Sequence, residues 1–92
     1  MVTRIITNHI KPGTKAEYIA ASKAFCAALV ERNGCLEARV YDVPDRDDVV
    51  NIEVWPDRET AEAVTATPTF AEFLPELGKY FLGSEGVFLN LV

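Results

Sequence analysis

Glu53, Arg39 and Trp55, with Asn51 and Tyr41 beside them, are the side chains of this sequence best suited to chemistry, and all five fall between Cys35 and Trp55. A carboxylate can accept a proton when burial lifts its pKa toward neutrality. A guanidinium can hold a developing anion, and an indole can wall an aromatic ring. Leu36, Ala38 and Val40 alternate with Glu37, Arg39 and Tyr41, while Val50, Ile52 and Val54 alternate with Asn51, Glu53 and Trp55. Alternation in both runs predicts paired strands, joined by a turn at Pro44-Asp45-Arg46-Asp47-Asp48. A turn centred on Arg46 sets Tyr41 opposite Asn51, Arg39 opposite Glu53 and Glu37 opposite Trp55, because cross-strand partners share a face. One face is then aliphatic, and the other carries the aromatic, amide and charged groups. That polar set either lines a pocket or forms a cross-strand salt bridge beneath a covering helix or partner.

The elements that must position this hairpin are also readable. Val2 to Ile10 is β-branched and alternating, and ends at Lys11-Pro12-Gly13, which predicts a strand and a turn. Thr14 and Glu17 have the spacing of a capping box for a helix whose apolar stripe is Tyr18, Ile19, Phe25, Cys26, Leu29 and Val30. Asn33-Gly34 supplies its C-terminal stop. After the hairpin, Asp57 caps a second helix predicted to reach about Thr65, and Thr67-Pro68 opens a further helical piece through Phe81. Pro75 inside that piece is expected to kink or divide it. Gly83-Ser84-Glu85-Gly86 reads as a turn before a last strand from Val87 to Leu91. The order β-α-β-β-α-β is the split βαβ of α+β ferredoxin-like sandwiches, with a four-stranded antiparallel sheet whose first and third strands are central. Two helices cover one sheet face only, so apolar or aromatic side chains on both faces imply a second sheet as cover and hence a homodimer.

Composition bounds the function. The 92 residues make one domain, spanning 1–92, of ordinary globular composition. A net charge of −5 with no basic patch argues against a nucleic-acid partner. The longest unbroken apolar run, Phe25 to Val30, is too short to span a bilayer, so no membrane partner is expected. Met1 leads straight into the first strand without an apolar signal region, so the chain reads as cytoplasmic. Cys26 and Cys35 lack metal-site spacing and read as free, partly buried thiols, and the single histidine, His9, cannot build a metal site alone.

Four short motifs then fall in order along the chain: Lys11-Pro12-Gly13, Gly34-Cys35-Leu36, Ile52-Glu53-Val54-Trp55 before Asp57, and Thr67-Pro68-Thr69-Phe70. Together they resemble the antibiotic biosynthesis monooxygenase (ABM) family of dimeric α/β barrels, which includes quinol-type monooxygenases. The resemblance spans essentially the whole chain and implies a ferredoxin-like domain paired into a dimeric α/β barrel. It also implies a cofactor-independent oxygenation, with O₂, of a dihydroxy-aromatic or quinol-type small molecule. A substrate phenol is deprotonated, its anion gives an electron to O₂, and the radical pair recombines, so no cofactor and no metal are expected. Many members carry histidines at the positions of Thr69 and Val64, and both are lost here. The haem-degrading relatives place an iron-ligating histidine on the late helix, where this chain has none, so haem degradation is not expected.

On this reading Glu53, Arg39 and Trp55 are the catalytic candidates, as base, anion holder and aromatic wall. Asn51, Tyr41 and Asn8 would orient substrate or dioxygen, with Phe70 and Phe73 as further substrate contacts. Each has a plainer reading as well. Arg39 could simply pair with Glu53, Trp55 could fill core, and the Phe70, Phe73 and Phe81 stripe could pack the interior. The competing function is a non-catalytic dimeric barrel, binding a small ligand or associated with stress. A purely structural homodimer would have no cavity at all.

Overall fold

The computed structural model describes residues 1–92. Strand β1 (Val2–Ile10) leads to helix α1 (Lys15–Arg32), then to the hairpin of β2 (Glu37–Asp42) and β3 (Asp48–Trp55). Helix α2 (Arg58–Glu62) continues as a 3₁₀ turn (Ala63–Ala66), followed by α3 (Pro68–Gly78) and β4 (Phe81–Asn90). The strands form one antiparallel sheet in the order β2-β3-β1-β4, so β1 and β3 are central, as expected from the crossovers. This is the ferredoxin-like α+β arrangement.

Punctuation residues account for most of the boundaries. Gly34, at φ 76°, takes the left-handed conformation just past α1, where a side chain would be strained. Asp57 accepts a hydrogen bond from the Thr60 amide at 2.7 Å and caps α2. Thr67 does the same for α3, accepting from the Phe70 amide at 3.3 Å, with Pro68 in the first turn. Three expectations fail. The Thr14–Glu17 capping box does not form, because the Thr14 hydroxyl donates to the Lys11 carbonyl at 2.6 Å and closes the preceding turn instead. Helix α3 is not divided at Pro75 but runs on to Gly78. The proline forfeits only its own bond back toward the Ala71 carbonyl, and the turn after it still closes through the Lys79 amide on the Glu76 carbonyl. Residues 83–86 are not a turn: β4 begins at Phe81 and pairs with β1 from Val2 to Ile10, since extended glycines can complete a ladder on an edge strand.

The decisive difference is in the β2–β3 hairpin. The structure pairs Ala38 with Glu53, Arg39 with Ile52, Val40 with Asn51 and Tyr41 with Val50, one residue away from the register expected for a turn centred on Arg46. Asp45 adopts φ 65°, and the chain reverses through Pro44–Asp47, with the Val43 amide bonded to the Asp48 carbonyl. The centre therefore falls between Asp45 and Arg46. Because side chains alternate, this shift moves Arg39, Tyr41 and Glu37 to the face opposite Asn51, Glu53 and Trp55. No all-aliphatic face exists.

The helices cover the face formed by Val2, Arg4, Ile6, Asn8 and Ile10 of β1 and by Val49, Asn51, Glu53 and Trp55 of β3. Two apolar clusters build the core there. One gathers Val2, Leu29, Cys35, Ala61 and Val64 around Trp55, and the other joins Ile10, Tyr18, Val49 and Leu77. The opposite face presents Tyr41, Val50, Ile52, Val54, Ile5, Val87 and Leu89, with Val87 and Leu89 about half exposed. At the end of that face His9 lies between Asp48 and Glu85, at 2.6 and 3.0 Å. Lys15, in the first turn of α1, reaches the hairpin loop, where it meets the Asp42 carboxylate at 2.7 Å and the carbonyls of Val43 and Arg46. Cys26 and Cys35 are both free and buried.

Candidate functional site

The two core clusters do not meet everywhere. Between them, bounded by the helix-covered sheet face, α1 and α3, lies a cavity of about 230 Å³. Its sheet wall is Arg4, Ile6 and Asn8 of β1 with Asn51 and Glu53 of β3. Helix α1 contributes Tyr18, Ser22, Phe25 and Leu29, three or four residues apart and so on one helical face. Phe70, Leu74, Leu77 and Gly78 of α3 close the other side, with Val64 and Thr65 before it and Phe81 and Ser84 after it.

The polar groups are concentrated on the sheet wall. Asn8 donates from Nδ2 to the Asn51 side-chain oxygen at 2.5 Å and to the Val49 carbonyl at 3.1 Å. Asn51 in turn donates to the Ser22 hydroxyl at 2.8 Å and lies 3.4 Å from the Cys26 sulfur. This buried chain of amides ties β1, β3 and α1 together, so both asparagines are held at fixed angles beside the cavity. Glu53, only 4% exposed, accepts a hydrogen bond from the Trp55 indole nitrogen at 2.9 Å. Burial pushes its carboxyl pKa up, while the Trp55 bond and the positive charge of Arg4 pull it partly back down. Tyr18 is buried deeply enough that its phenol is pushed up to about 12.

Sequence-expected residues divide three ways. Glu53, Asn51, Asn8 and Phe70 line the cavity together. Trp55 and Phe73 stay behind the wall: Trp55 is fully buried in the core and touches the site through its bond to Glu53, and Phe73 packs on Phe25 at 5.6 Å. Arg39 and Tyr41 lie on the opposite sheet face, carried there by the one-residue shift in register. Arg39 is largely exposed and pairs with Glu37 at 2.5 Å, so the expected Arg39–Glu53 pair does not exist. Thr69 is buried outside the cavity wall, whereas Val64 contributes to it.

Arg4 is the residue that sequence reasoning missed. It faces Glu53 across the central strand pair, the neighbourhood expected for Arg39. Its signal was present: a charge and an amide, Arg4 and Asn8, sit on the otherwise apolar alternating face of what must be a central strand. No three His, Cys, Asp or Glu side chains converge as a metal-binding group, and no helix is long and apolar enough to cross a membrane.

With this geometry in place, the comparison with known families is informative. The profile described as antibiotic biosynthesis monooxygenase matches residues 1–76. The chain belongs to the ABM family. Solved structures agree with this ABM assignment at the level of fold. One described as an antibiotic biosynthesis monooxygenase is 21% identical, with a TM-score of 0.82 and coverage of 100% of this chain and 99% of its own. SnoaB from Streptomyces nogalater, described as a cofactor-independent oxygenase, is 23% identical, with a TM-score of 0.81 and coverage of 99% and 92%. A conserved protein from Methanosarcina mazei Go1 is 20% identical, with a TM-score of 0.77 and coverage of 97% and 91%. No curated protein matches the chain.

Proposed function

We propose that this ABM domain is a cofactor-independent monooxygenase that oxidises a small hydroxy-aromatic or quinol-type molecule with O₂. The observation that carries the reading is Glu53: a carboxylate on the wall of an otherwise largely apolar cavity, with its affinity for a proton raised by burial. A base of that kind can take the phenolic proton of a substrate ring packed against Phe25 and Phe70. Asn8 and Asn51, whose N–H groups are engaged by Val49, Asn51, Ser22 and Cys26, would act as a rigid polar wall that positions the ring and the incoming dioxygen. The phenolate then transfers one electron to O₂, and the two radicals combine at a ring carbon. Glu53 returns its proton to the resulting peroxide. Breakage of the O–O bond, with loss of the ring hydrogen as the second proton of water, leaves one oxygen on the ring as a quinone carbonyl. Two oxygen atoms enter, and one leaves as water.

The working form on this reading is a homodimer, paired through the sheet face that carries Val50, Ile52, Val54, Val87 and Leu89. Burial above about 1,000 Å² in total is expected of such an interface. A second reading, a small-ligand binder without turnover, is favoured by the position of Trp55, which fills core rather than walling the cavity. The test is oxygen uptake by the wild-type protein over a panel of dihydroxy-aromatic compounds, with Glu53→Gln in parallel. Uptake that disappears in Glu53→Gln while the fold is retained supports the oxygenase. No uptake across the panel removes it in favour of the binder.

A further inference from the structure

Arg4 is unusual among the five arginines of the chain. Arg32, Arg39, Arg46 and Arg58 each have a carboxylate partner within ion-pair distance. Arg4 has none, although it lines the cavity. Its one hydrogen bond is a long contact to the Ala61 carbonyl at 3.5 Å, and its guanidinium lies 5.4 Å from the centre of the Phe88 ring. Phe88 is Arg4's cross-strand neighbour on β4, as Glu53 is on β3. The Glu53 carboxylate is bonded to Trp55 and forms no ion pair with Arg4. A planar fork of five N–H donors is thus held on an aromatic face, half-buried, with most of its hydrogen-bonding capacity unused.

We infer that the cavity selects an organic anion: a molecule with a compact apolar body and one permanently acidic substituent, a carboxylate above all, that pairs with Arg4. The body would lie against Phe25, Leu29 and Phe70, and the acid group would pair with the Arg4 guanidinium at the cavity wall. A volume of about 230 Å³ lies below the range of roughly 300–1,000 Å³ common for drug-sized ligands, so one or two fused rings fill it. A carboxylate suits the arginine fork because both oxygens can accept from it at once, and the low polarity around them strengthens the pair. The inference rests on the cavity being the ligand site. It adds to the oxygenase reading the requirement that the oxidised ring also carry an acid group remote from the reacting carbon.

The experiment compares 2-naphthoate with its neutral isostere 2-naphthamide by calorimetry. The side-chain amide signals of Asn8 and Asn51, read by NMR, establish that the probe sits in the cavity. In the wild-type protein naphthoate is expected to bind about tenfold to a hundredfold more tightly, as a charge-assisted pair allows. Arg4→Met should abolish that preference while leaving naphthamide affinity within about threefold, and Arg4→Lys should restore part of it. Equal affinities in the wild-type protein, which need no variant to be folded, overturn the inference, as does a preference that survives in Arg4→Met. Failure of both probes to bind at millimolar concentration overturns it together with the cavity as a ligand site. A clear anion preference without oxygen uptake by any acidic dihydroxy-aromatic compound leaves the inference standing and removes only the oxygenase.

Discussion

Replacing Trp55 with phenylalanine isolates the contact on which the behaviour of Glu53 depends. The substitution keeps an aromatic ring in the core position but removes the indole N–H that donates to the Glu53 carboxylate at 2.9 Å. A hydrogen bond to a charged group contributes about 1.5–3 kcal/mol, and the carboxylate is favoured by it over the neutral acid. At about 1.4 kcal/mol per tenfold, its loss shifts the proton concentration at which Glu53 half-ionises by roughly tenfold to a hundredfold, toward higher pH. Arg4 is unchanged by the substitution, so its pull on the carboxyl stays the same. The direct assay is a titration of the ¹³C-labelled glutamate carboxyls by NMR, with Glu53→Gln used to assign the signal. If the domain consumes oxygen, the acid limb of its pH–rate profile should move by the same amount. A Glu53 midpoint that does not rise would refute the argument that this bond restrains the carboxyl. A rate profile that stays in place while the NMR midpoint moves would remove Glu53 as the catalytic base.

Other expectations follow from the same structure. Glu53→Gln should stabilise the fold at pH 8. Below the ordinary carboxylate value of 4.5 both folded and unfolded chains hold the proton, and above it the folded wild type retains a proton that the unfolded chain releases, so wild-type stability falls as pH rises toward the elevated folded pKa. Thermal melts at pH 4 and pH 8 check this, and a Gln variant less stable than wild type at pH 8 contradicts it. Ile52→Asp, on the open sheet face, should convert a dimer to monomer in light scattering with little change in circular dichroism. A wild-type protein that is already a folded monomer at micromolar concentration sinks the interface. Cys26 and Cys35, both pushed up to about 11 mainly by burial, should react slowly with a thiol reagent at pH 8 in the native protein and quickly once unfolded. Native labelling at the unfolded rate would show that these thiols are not enclosed.

Much of this architecture was legible because a few residues make backbone demands that little else can meet. Gly34, Asp57 and the Thr67-Pro68 pair each fixed an element boundary, and the ββ hairpin between two helical segments fixed the topology. The hairpin register was not legible to the same degree. A turn centred on Arg46 and one centred between Asp45 and Arg46 look alike in a stretch where every residue tolerates a turn, yet the two choices send Arg39 to opposite faces. Alternation told which residues travel together along one strand, and it did so correctly for Asn51, Glu53 and Trp55. It could not tell which set on β2 accompanies them. Ser84 was hidden for a different reason: two flanking glycines made an extended strand look like a loop. Arg4 was the most recoverable of the omissions, because a charged group on the covered face of a central strand has to be explained by a partner or a space.

Lys15 bears on how a ligand reaches the cavity. Its ammonium fastens the start of α1 to the β2–β3 loop through a carboxylate and two carbonyls, so this corner of the domain has a three-point rivet. The flank where α3 passes into β4 is held without a charged clasp: the Lys11 amide donates to the Tyr80 carbonyl at 2.8 Å, and α3 is joined to α1 by one exposed Arg32–Glu72 pair and by the rings of Phe70 and Phe73 resting on Phe25. Ring contacts of that kind can slide without breaking a directional bond. Traffic into and out of the cavity is therefore expected past Leu74, Gly78 and Phe81, with the Lys15 corner as the fixed jamb against which that flank swings.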